Sequence, residues 1–92
     1  MRVTVIGTGY VGTVTGACLA YLGHHVTCVD TDTAKIGKLR LGLAPIYEPG
    51  LEELIALARS NGGIDFETDM TVPVRESDVI FIDVGTPPLP SG

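Results

Sequence analysis

Positions 3–16 read VTVIGTGYVGTVTG, and this stretch limits the possible folds more than any other. Val3, Val5 and Ile6 are β-branched and apolar, the residue types of a strand buried in a sheet. Three glycines follow at once, Gly7, Gly9 and Gly12, spaced G-x-G-x-x-G. Beyond the first two, the run Tyr10 to Leu22 predicts a helix. Eighteen positions after Gly12, a second strand-like run, HVTCVD, ends on Asp30. Strand, glycine turn, helix, strand and acid, in this order, form the fingerprint of a dinucleotide-binding α/β unit.

Each glycine has a steric reason. Gly7 permits the tight turn off the first strand. Gly9 keeps a Cβ out of the way of a pyrophosphate, and Gly12 lets the helix lie close on the sheet. The helix N-terminus then offers free N–H groups and a positive dipole end to phosphates, so no basic side chain is required. Asp30 stands where a carboxylate accepts hydrogen bonds from both hydroxyls of the adenosine ribose. A 2′-phosphate there would meet a like charge. At about 4 Å that repulsion is about 1 kcal/mol in water and about 4 kcal/mol at an effective dielectric of about 20. NAD is therefore expected over NADP, by roughly tenfold to several hundredfold. Lys35, five residues on, offsets part of that preference.

The rest of the chain extends the α/β pattern. Val11, Val14, Cys18 and Leu22 predict a core-facing stripe on the first helix, and Gly16, Ala17 and Ala20 allow close approach to a sheet. Thr31 or Asp32 can cap a second helix running to about Arg40, with Ile36 and Leu39 inward. LAPIYEPG, at 43–50, is a loop. An amphipathic helix is predicted over Leu51 to Asn61, with Leu51, Leu54, Ile55, Leu57 and Ala58 inward. Ile64 to Glu67 predicts a short strand, Val72 to Ser77 a brief helix, and Asp78 to Val84 another buried strand. The fold class is α/β, a Rossmann-like doubly wound parallel sheet of about four strands in the order 3-2-1-4, by the right-handed crossover rule. The tail GTPPLPSG has no closing element. Residues 1–92 are thus expected to be the amino-terminal part of a NAD-binding domain, cut short.

Charge narrows the partners. Six basic and eleven acidic residues give a net charge of −5. No basic patch exists, which argues against nucleic acid and anionic membrane. No apolar run reaches a membrane span, and no signal or transit segment is expected ahead of the first strand. Cys18 and Cys28 lack C-x-x-C spacing, and both are expected to be reduced and buried in a cytoplasmic protein. His24 and His25 have no neighbouring ligand-type residues and predict turn positions, so no metal site is expected. Tyr47, Glu48, Glu52 and Glu53 could supply a carboxylate pair. A helix entry, with Glu52 and Glu53 facing the dipole, accounts for them better.

IGTGYVGTVTGACLAYLGHHVTCVD, then IYEPGLEEL, then DVIFIDVGTPP, resemble the amino-terminal region of the UDP-glucose/GDP-mannose 6-dehydrogenase family. The resemblance spans nearly the whole chain, and its later pieces are more specific than the glycine motif. It implies oxidation of a nucleotide sugar at C6 to a carboxylate with two NAD⁺, UDP-glucose to UDP-glucuronate in the full-length family. The cysteine, lysine and aspartate that do this lie in motifs beyond position 92, so no catalytic residue is expected here. The cofactor contacts it implies fall on Gly7, Gly9, Tyr10, Val11 and Gly12, then Asp30, Lys35 and Thr86. A homo-oligomer is expected of the full-length protein. Two positions depart from the family pattern: Thr13, where Leu is more frequent, and Asp83, where a small or apolar residue is usual. Asp83 is expected at an exposed strand end. The alternative is a free-standing NAD-binding or regulatory module completed by another chain. A hydroxyacyl-CoA dehydrogenase is a third possibility, against which YEPGLEEL and VGTPP speak.

Overall fold

Val3, Val5, Val26, Cys28, Ile64 and Phe66 share one side of a four-stranded sheet, and that side is the core. The computed structural model describes residues 1–44 and 48–83. The strands are β1 (Arg2–Ile6), β2 (His25–Val29), β3 (Ile64–Glu67) and β4 (Val79–Ile82). All pair in parallel, in the order β3-β2-β1-β4 expected from the sequence. The register sets Val3 level with Val26 and Val79, and Val26 level with Ile64. With side chains alternating along each strand, the apolar residues of neighbouring strands fall on one face.

Helix α1 (Tyr10–Tyr21) lies on that face, but not by the stripe its periodicity predicts. Its buried residues are Gly12, Thr13, Gly16, Ala17 and Ala20. Val11, Cys18 and Leu22 are exposed, and Val14 is only partly covered. The cause is steric. The strand side chains already fill the space beneath the helix, so that a Cβ on Gly16 would stand 2.6 Å from the Cys28 sulfur. Small residues and Thr13 fill the space between helix and sheet, Val14 and Leu19 pack partly against the core, and Val11, Cys18 and Leu22 turn outward. Cys18 is therefore exposed rather than buried, whereas Cys28 is buried as expected. Burial pushes the Cys28 thiol up to about 12.

Helix α2 (Thr33–Arg40) starts at Asp32, whose Oδ1 accepts from the amides of Ala34 and Lys35 at 3.0 and 3.1 Å. Such a cap satisfies donors that no helical carbonyl can reach. Ile36 and Leu39 are fully buried. Helix α3 (Leu51–Ser60) buries Leu51, Ile55 and Ala58, while Leu57 of the expected stripe is half exposed. Glu52 reaches back to accept from the Ala44 amide at 3.0 Å. Helix α4 (Thr71–Glu76) links β3 to β4. Just past it, the Ser77 hydroxyl meets that of Thr4, a residue of opposite pleat to Val3 and Val5. Helices thus begin to cover both sides of the sheet, the doubly wound arrangement.

Strand β4 differs from its expected burial. Val79, Ile80, Phe81 and Ile82 are all exposed. An apolar run of this kind is written for the inside of a parallel sheet, but among the described residues only β1 flanks it. The end of the expected strand, Val84, lies outside the described residues.

Candidate cofactor-binding site

The glycine turn lies at the carboxyl ends of β1 and β4. Gly7 has φ +106°, and its N–H donates to the Val29 carbonyl at 2.7 Å. A Cβ on it would collide with the carbonyl oxygen of Asp83. Both observations demand glycine, one through backbone conformation and one through space. A Cβ on Gly12 would run into the Gly7 carbonyl oxygen and stand 2.8 Å from Asp83 Oδ2. The first turn of α1 is therefore seated directly on the turn that precedes it.

Thr8, between the first two glycines, is fully buried. Its N–H and hydroxyl both donate to Asp30 Oδ2, at 3.0 and 2.7 Å. The Asp32 N–H donates to Asp30 Oδ1 at 2.9 Å. Three of the carboxylate's roughly four acceptor positions are thus filled by the chain itself, and the open one is on Oδ1. Burial alone would raise the Asp30 carboxyl. The Asp32 amide, the Thr8 hydroxyl and amide and the Lys35 charge together outweigh it and hold the group below its ordinary value. Thr13 is also fully buried, and its hydroxyl donates to the Thr8 carbonyl at 3.1 Å. The departure at Thr13 thus has a role: it ties α1 to the turn that holds Asp30.

Two contacts extend the site. The Tyr10 hydroxyl donates to Glu48 Oε2 at 3.1 Å. That hydrogen bond, together with the carboxylate's charge, pushes the Tyr10 phenol above its ordinary value. Asp83 is half-buried rather than exposed. Its Oδ2 accepts from the Gly12 N–H at 2.5 Å. The positive end of α1 accounts for this position, since it attracts a carboxylate placed within reach.

A cleft of about 870 Å³ opens here, within the range of small-molecule and cofactor sites. Six of the residues expected at the cofactor line it: Gly7, Gly9, Tyr10, Val11, Asp30 and Lys35. Gly12 is buried beneath the turn and supports it from below. Thr86 and Tyr47 lie outside the described residues. Thr8, Met70, Thr71 and Asp83 also line the cleft, and sequence reasoning did not single out the first three. Thr8 carried a signal, a hydroxyl residue between two glycines at the end of a buried strand. Met70 and Thr71 carried none, because the β3–β4 crossover alone brings them over the turn. Among the described residues, no cluster of three His, Cys, Asp or Glu could hold a metal ion. Among them too, no helix is long and apolar enough to cross a membrane.

A parallel sheet in the order 3-2-1-4, closed at one end by a glycine turn, a helix N-terminus and an acid after the second strand, defines a Rossmann-like α/β unit. Comparison with known proteins narrows that class. The NAD binding domain of the UDP-glucose/GDP-mannose dehydrogenase family matches residues 1–92, and the chain belongs to this family. UDP-glucose 6-dehydrogenase YwqF of Bacillus subtilis is 54% identical over 87 residues, which cover 95% of this chain and 20% of that protein. A GDP-mannose dehydrogenase from Pseudomonas aeruginosa, solved as a ternary complex, superposes with a TM-score of 0.95 at 44% identity. That match covers 100% of this chain and 21% of the other. A UDP-glucose dehydrogenase from Pyrobaculum islandicum gives a TM-score of 0.90 at 43% identity, over 96% of this chain and 20% of the other. The chain spans about a fifth of the length of the curated relatives it matches.

Proposed function

We propose that residues 1–92 form the NAD⁺-holding part of a nucleotide-sugar 6-dehydrogenase, with UDP-glucose as the sugar substrate. The observation that carries this is the meeting of the glycine turn, Asp30 and Lys35 in one cleft at the carboxyl edge of the sheet. The turn and the first N–H groups of α1 would hold the pyrophosphate, and the open lone pair of Asp30 Oδ1 would take a ribose hydroxyl. Lys35 would balance the Asp30 charge from the next helix. Bound there, NAD⁺ would supply the hydride acceptor for oxidation of the sugar alcohol. Thr86 belongs to the same proposal, on the family resemblance and on its position in sequence just past β4.

These residues contain no cysteine placed for the covalent step. Cys18 faces outward on α1 and Cys28 lies in the core, away from the cleft lining. The 92 residues alone therefore bind NAD⁺ and do not oxidise the sugar. A second reading rests on β4: its four exposed apolar residues need a covering element, which a separate chain could supply instead of the same one. Binding of NAD⁺ and formation of NADH from UDP-glucose are measured on residues 1–92. We expect binding without NADH. Turnover by these residues alone would contradict the catalytic part of the proposal, and absence of binding the cofactor part.

A further inference from the structure

The carboxylate of Asp83 stands where the glycine turn keeps space open. Its Oδ2 accepts from the Gly12 N–H at 2.5 Å. A Cβ built on Gly9 would find that same oxygen, 3.9 Å away, and no other described atom within 4 Å. Gly9 is the position whose missing side chain admits a pyrophosphate in this class of turn. The anion found over it belongs to the chain itself.

We propose that Asp83 is an intramolecular competitor for the dinucleotide pyrophosphate, holding the anion position of α1 until its side chain swings away. The proposal rests on the NAD⁺ reading above and adds to it a residue that sets affinity. Three features support it. A carboxylate and a phosphate oxygen make the same demand on a helix N-terminus, an N–H donor and a positive dipole end, so they exclude each other there. The Asp83 backbone is fixed, its N–H donating to the Ile6 carbonyl at 2.7 Å and its carbonyl packed against Gly7. Release must therefore come from side-chain rotation, which costs the Gly12 hydrogen bond. Among the described residues, Asp83 forms no ion pair, so no cation offsets its charge beside an incoming diphosphate.

When the competent form is only a fraction of the population, the apparent affinity falls by that fraction. Removing the competitor should restore it. Asp83→Ala, in the protein at its natural length, should bind NAD⁺ at least about tenfold more tightly by titration calorimetry, with charge repulsion adding to the gain. Asp83→Asn keeps the size and one acceptor, and guards against a folding defect in the alanine variant. It should gain in the same direction by less. Adenosine, which has no phosphate, should bind all three proteins alike. Equal or weaker NAD⁺ binding by both variants, with the wild type binding, would overturn the role of Asp83 alone and leave it a helix cap. A wild type and variants that all bind neither NAD⁺ nor adenosine would overturn this proposal and the cofactor reading together. A gain for adenosine as large as that for NAD⁺ would also overturn it, because the competition would then not be with phosphate.

Discussion

Asp30 accepts two hydrogen bonds from Thr8 and one from Asp32. These donors favour the charged form and give the residue a part in stability as well as in binding. Its folded value is depressed, so the unfolded chain takes up the proton first as pH falls. The stabilisation is complete above an ordinary carboxyl value of about 4 and is lost as pH drops through the lower folded value. Asp30→Asn should flatten this acid limb: urea melts between about pH 5 and pH 3 should show the wild type losing more stability than the variant. An equal loss in both would remove Asp30 from the acid sensitivity. Gly12 allows a second test. Its alanine variant drives a Cβ into the Gly7 carbonyl and toward the Asp83 carboxylate, neither the far end of a flexible side chain. The cost should be about 1–3 kcal/mol, seen as a fall in Tm of roughly 4–8 °C per kcal/mol.

Element by element, boundaries were readable where the cause is local. The Asp32 cap, the buried pair Ile36 and Leu39, and strand β3 follow from capping chemistry and short-range pattern. What one helix turns toward another layer was not readable. The periodicity of α1 favours Val11, Cys18 and Leu22, yet the face set against the strand side chains buries Gly12, Thr13, Gly16, Ala17 and Ala20. Small residues decided the packing face, and hydrophobicity did not. The two thiols report on this directly. Cys18 should react with an aromatic disulfide reagent within seconds to minutes in the native protein. Cys28, its thiol pushed up to about 12 by burial, should react only on unfolding. Two rapidly reacting thiols would contradict the packing of α1 on β2.

At the scale of the whole molecule, the strand order was legible because parallel strands joined by right-handed crossovers leave few topologies. The burial of β4 was not, since its apolar residues are written for neighbours that the described residues do not include. Most of the candidate site was legible for a similar reason to the strand order: glycine spacing and a distant acid encode a turn and a strand end at once. Met70, Thr71 and the inward carboxylate of Asp83 were not, because they reach the cleft through side-chain contacts or through a crossover. The central claim is that this cleft holds NAD⁺ by its diphosphate and its ribose. It is tested most directly by calorimetric titration of NAD⁺ and NADP⁺ into the wild type and Asp30→Ala. We expect the wild type to prefer NAD⁺ by about tenfold or more, and Asp30→Ala to lose about 1–3 kcal/mol of NAD⁺ binding together with most of that preference. Unchanged affinity and unchanged preference in Asp30→Ala would contradict the account.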